Sequence, residues 1–150
     1  MRTARWIVCE RTGTWAAALR TRLRQRGDDL PGGLIREARG LAECQPLLCR
    51  WPASVVALEV TRTDFSACVD WVVELEHRFP RALAVILSQL DLPEAEWALR
   101  EAGAGHVIRS LRDVELVTQL AVRHVRRAPR AHIGAVERIL AELPWSGLVA

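Results

Sequence analysis

Cys9 ends a short apolar run near the start of the chain, and Glu10 follows it directly. A thiolate can serve as a redox group or an acyl nucleophile when a cation favours it and a base takes its proton. Arg109 would be the cation, and His106, placed one strand away, is the only plausible base. Glu10 opposes this chemistry because a neighbouring carboxylate raises a thiol pKa. We therefore predict no catalytic residue and expect Cys9 to be a small residue in a pocket.

The remaining cysteines give no sign of a metal site or a cofactor. Cys44, Cys49 and Cys68 form no CxxC motif, and no histidine lies near them in sequence. Cys44 and Cys49 are five residues apart, so on a helix they point in different directions. In a reducing cytosol a disulfide framework is not expected. The cysteines are therefore predicted to be small buried thiols, with no metal and no cofactor.

Arginine supplies every basic side chain, since the chain contains no lysine, and the net charge is +3. The densest basic stretch runs from Arg123 to His132, but it lacks the interleaved aromatic residues of a nucleic-acid surface. The Gly103-Ala104-Gly105 sequence precedes a strand, which is the wrong context for a phosphate loop. Nucleic acid is therefore not an expected partner.

Five short apolar runs alternate with longer amphipathic segments along the chain. The runs cover residues 6–9, 34–38, 54–60, 83–88 and 106–109. This alternation predicts a parallel sheet covered by helices on both faces. Pro46 removes a backbone donor from the second helical segment, so that helix is predicted to be irregular.

The length of 150 residues fits one domain that can bury its own core. No apolar run is long enough to span a membrane, and the start lacks the pattern of a signal peptide, which predicts a cytoplasmic location. Ile133, Val136 and Leu140 share one face of a last amphipathic segment. That face needs a cover, which is either the domain itself or a second chain.

The stretch from Pro52 to Ser88 and the turn and strand from Ala102 to Ser110 resemble the receiver domain of response regulators. The resemblance covers about residues 3 to 128. It implies an α/β, flavodoxin-like, doubly wound five-stranded parallel sheet of strand order 2-1-3-4-5. We accordingly divide the chain into a receiver-like (βα)₅ domain, residues 1–128, and a C-terminal helical extension, residues 129–150.

Receivers carry an acidic pair after the first strand, a phosphorylated aspartate ending the third, a hydroxyl residue ending the fourth and a lysine ending the fifth. The matching positions of this chain are Cys9 and Glu10, then Glu59 or Leu58, then Ser88, then Arg109 or Ser110. The resemblance thus implies a degenerate receiver pocket made of Cys9, Glu10, Glu59, Ser88 and Arg109.

The substituted residues oppose the phosphotransfer chemistry of the family. Mg²⁺ requires near-octahedral oxygen ligation, and Cys9 is a poor ligand for so hard a cation. Glu59 is one methylene longer than aspartate, and Arg109 presents its charge differently from lysine. Efficient phosphotransfer is therefore not expected. Glu59 either forms an ion pair with Arg109 in the old pocket or extends into solvent at the strand end.

These observations predict a non-catalytic, receiver-like regulatory module in bacterial signalling that acts by protein–protein interaction. The partner is an unidentified protein or a second copy of the chain. Trp97 and Arg100, near the fourth and fifth units, are candidate interface residues together with Ile133, Val136 and Leu140. The alternatives are a receiver that still accepts a phosphoryl group at an altered site, or a small enzyme or ligand-binding domain that uses Cys9 and Glu10.

Overall fold

The computed structural model describes residues 4–27, 33–88, 91 and 93–129, which form a five-stranded parallel sheet covered by helices. The strands are β1 (Trp6–Cys9), β2 (Ile35–Ala38), β3 (Val55–Glu59), β4 (Leu83–Leu87) and β5 (His106–Ile108). Their order is β2-β1-β3-β4-β5, and every neighbouring pair is parallel. The predicted flavodoxin-like fold and strand order are confirmed.

A helix follows each strand. The helices are α1 (Thr14–Arg26), α2 (Leu41–Arg50), α3 (Phe65–Arg78), α4 (Pro93–Glu101) and α5 (Val114–Arg127), and a short 3₁₀ turn, Leu111–Asp113, precedes α5. The helix predicted to be irregular at Pro46 continues through this residue to Arg50. Pro46 is exposed, and it removes one backbone donor from the helix.

The two faces of the sheet hold separate apolar layers because side chains alternate along each strand. Trp6 and Val8 of β1 lie in the layer beneath α1 and α5. Ile7 and Cys9 lie in the layer beneath α2, α3 and α4. The continuous apolar runs in the sequence follow from this burial on both faces.

None of the helices in the described ranges has the length and the apolar character that a bilayer span requires, since the longest has 14 residues. The boundary proposed at residue 128 lies one residue beyond the end of α5. The C-terminal extension lies outside the described residues from position 130 onward, and so do Ile133, Val136 and Leu140.

Candidate functional site

A cavity of about 280 Å³ opens at the carboxyl ends of β1 and β3. This is the point of a doubly wound sheet where the order of strands reverses and where ligands usually bind. Its volume lies near the lower end, ~300 Å³, of small-molecule sites. The lining residues are Cys9, Glu10, Arg11, Arg39, Gly40, Leu41, Leu58, Glu59, Asp64 and Cys68. Three of the five predicted pocket residues line it, and Ser88 and Arg109 do not.

Glu10 is directed at the start of α1 and is only 2% exposed. Its Oε2 accepts a hydrogen bond from the backbone N–H of Trp15 at 2.9 Å, and its Oε1 accepts one from Ala16 at 2.7 Å. The carboxylate therefore caps the helix with both oxygens. Glu10, which was expected to be the carboxylate remaining in the pocket, lines the cavity, and each of its oxygens also accepts one backbone N–H of α1.

The local sequence explains why α1 needs this cap. Thr14 is the first residue of the helix, and Gly13 precedes it with φ 85°. Glycine has no side chain that can accept from the free N–H groups of a first turn, and the first turn of α1 contains no acidic residue. Glu10 supplies the missing acceptor and places a negative charge at the positive end of the helix.

Glu59, at the position of the phosphoacceptor, is engaged by the loop after β1. Its Oε2 accepts a hydrogen bond from the backbone N–H of Arg11 at 3.0 Å. The Arg11 guanidinium in turn donates to Asp64 Oδ2 at 3.3 Å, and Asp64 Oδ1 accepts from the Thr61 N–H at 2.7 Å. Arg11 thus contacts Glu59 through its backbone N–H and Asp64 through its guanidinium, and all three residues line the cavity.

Ser88 and Arg109 do not line this cavity. Ser88 is buried, and its hydroxyl donates to the Val60 carbonyl at 3.3 Å. Arg109 donates to Asp91 Oδ1 at 3.2 Å and also to Glu96 on α4. The Glu59–Arg109 ion pair considered from the sequence is therefore wrong, because Arg109 pairs with the carboxylates at the start of α4.

Cys9, Cys44 and Cys68 are buried in the layer beneath α2 and α3, as expected. Cys49 is exposed, so the prediction of a buried thiol is wrong at this position. Hydrogen bonding from Cys44 lowers the pKa of the Cys9 thiol, against burial and the nearby carboxylates. The Cys9 thiol beside it and burial raise the pKa of Cys44. Burial raises the pKa of Cys68 to about 12. The described residues hold no group of three metal-ligating side chains.

Cys9 lacks the base that nucleophilic catalysis needs. The strand order places β3 and β4 between β1 and β5, so His106 is three strands from Cys9 rather than one. At ~4.8 Å per strand this separation is about 14 Å. The neighbour that lowers the pKa of Cys9 is a second thiol, which does not take up its proton as histidine would. No Cys–His arrangement therefore exists between these two residues.

The donor set does not fit Mg²⁺. The ion requires several oxygen ligands with free lone pairs in near-octahedral positions. Each Glu10 oxygen accepts a backbone N–H, Glu59 accepts another, and a thiol occupies the position before Glu10. Three residues that the sequence reasoning missed complete this arrangement: Arg11, Asp64 and Arg39, whose guanidinium donates to the Glu10 carbonyl at 3.3 Å. Of these three residues, Arg11 could have been found from the sequence, because it directly follows Glu10.

The candidate interface residues that the structure describes lie on α4. The Trp97 side chain is 66% exposed, the largest exposure of any large apolar residue described. Arg100 donates to Glu96 at 3.0 and 3.1 Å, and Glu96 also accepts from Arg109 at the end of β5. These two arginines, Arg109 most strongly, lower the pKa of Glu96. Trp97 therefore stands beside a fixed ion network.

No family model matches the chain, and no curated protein matches it either. Solved structures do match. A CheY-like protein, TadZ, from Pseudomonas aeruginosa aligns at a TM-score of 0.64 and 18% identity, covering 81% of this chain and 98% of that one. This chain has the receiver fold. Its identity to these structures is too low to carry more than the architecture.

Two further matches are receiver-fold proteins described as orphan regulators. One is an atypical orphan response regulator described as having a phosphorylation-independent regulatory mechanism, at a TM-score of 0.65, 13% identity and coverage of 84% and 98%. The other is an orphan response regulator of H. pylori, at a TM-score of 0.63, 13% identity and coverage of 82% and 97%. The chain therefore spans nearly the whole length of these three structures.

Proposed function

We propose that this chain is a non-catalytic, receiver-like regulatory module that works through protein–protein contacts without aspartyl phosphorylation, in the bacterial cytoplasm. The observation that carries the proposal is the position of Glu10. Each of its two oxygens accepts a backbone N–H at the start of α1, so the helix holds the carboxylate and fewer lone pairs are left for a metal ion. Phosphoryl transfer to an aspartate depends on that ion to neutralise the developing charge.

The surroundings of Glu59 support the same proposal. Its carboxylate accepts the Arg11 N–H, and the Arg11 guanidinium extends to Asp64. The cationic group that would face a phosphoryl oxygen, Arg109, is held 3.2 Å from Asp91 instead. One of the matched structures is described as regulating independently of phosphorylation, so the receiver fold is compatible with this mode of action.

A surface formed by α4, the end of β5 and α5 is the proposed contact region. Trp97, Leu111 and Leu116 are its exposed apolar side chains, with Trp97 the largest. Exposed tryptophan beside arginine is typical of the centre of protein interfaces. Arg100 and Arg109 are both positioned by Glu96, so they reach a partner with less loss of side-chain freedom.

Incubation with acetyl phosphate and Mg²⁺, followed by intact-mass spectrometry, tests the absence of phosphorylation. A receiver that keeps the aspartate and lysine serves as the positive control for the reagent. We expect the control to gain one phosphoryl group and this chain to gain none. A stoichiometric adduct that disappears in Glu59→Gln would overturn the proposal and would establish a phosphorylatable receiver with an altered site.

Sedimentation over a range of protein concentrations tests the contact surface, with a second copy as the partner. The variants are Trp97→Ser and, as a matched control, Val73→Ser, which removes an exposed apolar side chain from α3. We expect concentration-dependent dimers that Trp97→Ser abolishes and Val73→Ser retains. A chain that stays monomeric at every concentration, or dimers that survive Trp97→Ser, would exclude self-association through this surface.

A further inference from the structure

Three arginine side chains converge on one tryptophan at the amino-terminal end of the sheet. The Cζ atoms of Arg5, Arg36 and Arg50 lie 5.1, 5.6 and 4.9 Å from the ring centre of Trp51. Arg5 immediately precedes β1, Arg36 lies in β2, and Arg50 is the last residue of α2. Three separate elements therefore build this group, which we call the Trp51 arginine cluster.

The cluster holds like charges close together. Because each Cζ lies within 5.6 Å of one point, no two of them are more than about 11 Å apart. That upper limit is close to the ~8–10 Å over which physiological salt screens charges, so part of the repulsion remains. Stacking on the indole face stabilises each guanidinium by ~0.5–1 kcal/mol where the site is exposed. The ring fixes the positions of the cations but does not neutralise them.

Elsewhere in the described chain, clustered arginines are matched by carboxylates. Arg20 and Arg39 share Glu37, and Arg22 and Arg26 share Glu115. In contrast, no described carboxylate lies within salt-bridge distance of Arg36 or Arg50, and both residues are exposed. The α2 dipole favours Arg50 at the end of its helix, but Arg36 lies on a strand and has no such compensation.

We propose that the Trp51 arginine cluster binds the phosphate chain of a small ligand, either free pyrophosphate or the phosphates of a nucleotide. Arginines that meet at one point suit a compact group with several negative charges, whereas an extended nucleic acid requires cations spread along a stripe. The planar guanidinium presents paired N–H groups that match phosphate oxygens. Trp51 is itself only 4% exposed, so its ring is not available to stack with a base.

The proposed phosphate site is independent of the receiver pocket. The amino-terminal end of the sheet is opposite the cavity between β1 and β3, and no residue of the cluster lines that cavity. The site would therefore add a ligand-binding function to a module whose pocket carries out no phosphotransfer.

Isothermal titration of the whole chain with pyrophosphate, ATP and adenosine tests the proposal. The variants are Arg36→Gln and Arg50→Gln, and the matched control is Arg62→Gln, which removes the same charge from an exposed position at the opposite end of the sheet. We expect saturable binding of pyrophosphate and ATP, weakened about tenfold or more by each cluster substitution. Arg62→Gln should leave the affinity unchanged within about twofold.

The ligand series identifies the source of the phosphate. Equal affinity for pyrophosphate and ATP, with none for adenosine, would assign recognition to the phosphate chain alone, and tighter ATP binding would assign it to a nucleotide. Absence of saturable binding at millimolar ligand, or equal weakening by Arg62→Gln, would overturn the proposal. Binding to an oligonucleotide but not to pyrophosphate would also overturn it. Thermal unfolding of each variant serves as the control that distinguishes a loss of affinity from a loss of folded protein.

Discussion

Substitution of Glu10 by glutamine should destabilise the fold although it changes a single oxygen to an amide. Glu10 is 2% exposed, and its oxygens accept the N–H groups of Trp15 and Ala16 at 2.9 and 2.7 Å. In Glu10→Gln one oxygen still accepts, but the NH₂ group faces an N–H donor. One charge-assisted hydrogen bond is lost, and a buried N–H is left without an acceptor.

The expected loss can be worked out from these contacts. A hydrogen bond to a charged group contributes ~1.5–3 kcal/mol, and an unsatisfied buried donor costs ~1–3 kcal/mol. Because the two effects overlap, and some of the charge interaction with the helix dipole is also lost, we expect a decrease of about 3 kcal/mol in the free energy of unfolding. For a chain of this size that corresponds to a decrease of about 6–12 °C in Tm.

Urea unfolding followed by circular dichroism measures this loss. The matched control is Glu59→Gln, because Glu59 is partly exposed and accepts a single described backbone N–H, from Arg11. We expect the control to lose less than about 1 kcal/mol. Equal stability of Glu10→Gln and the wild type would show that Glu10 does not hold α1, and the explanation for the lost metal site would then fail.

Two other predictions concern the thiols and an acidic side chain. A thiol reagent at neutral pH should quickly label one cysteine per native chain, because Cys49 is the one exposed cysteine of the four. Cys49→Ser should abolish this fast labelling. Fast labelling of Cys9 would contradict the burial of its side chain. The hydrogen bond from Arg20, together with Arg39, lowers the pKa of Glu37 in the folded protein. The Glu37 carboxylate should therefore stabilise the fold fully above its pKa in the unfolded chain, about 4.3. This stabilisation should be lost as the pH falls through the lower pKa of the folded protein. Glu37→Gln should therefore reduce stability at pH 7 but not in acid, as measured by unfolding across pH; a deficit independent of pH, or one matched by the exposed Glu101→Gln, would contradict this.

The architecture could be predicted because a strand whose two faces are both buried needs apolar residues at consecutive positions, and such runs are visible in the sequence. The run from Val55 to Leu58 is apolar at every position, which only a central strand between two layers of helices requires. The strand order came from the resemblance rather than from the pattern itself. α2, which was predicted to be irregular at Pro46, continues to Arg50, because flanking residues such as Leu48 remain anchored in the core.

The candidate site was harder to predict than the fold because it depends on where long side chains point. The sequence places Glu10 and Arg109 at strand ends, but it does not show that Glu10 turns towards α1 or that Arg109 turns towards Asp91. Gly13 at the start of α1 was an available signal, since a helix that begins after glycine takes its cap from elsewhere. The competition for Arg109 between Glu59 and the acidic start of α4 is decided by tertiary distances.

The two outer strands of the sheet limit how this molecule can recruit another protein. β2 has four residues with Arg36 and Glu37 at its centre, and β5 has only three. Neither edge is suited to pairing with a further strand. An incoming backbone would find few free amide groups on β5, and on β2 it would also have to desolvate two ionised side chains. The outer faces of the helices therefore suit the proposed protein contact better than the described sheet edges do, and accidental polymerisation through those edges is disfavoured.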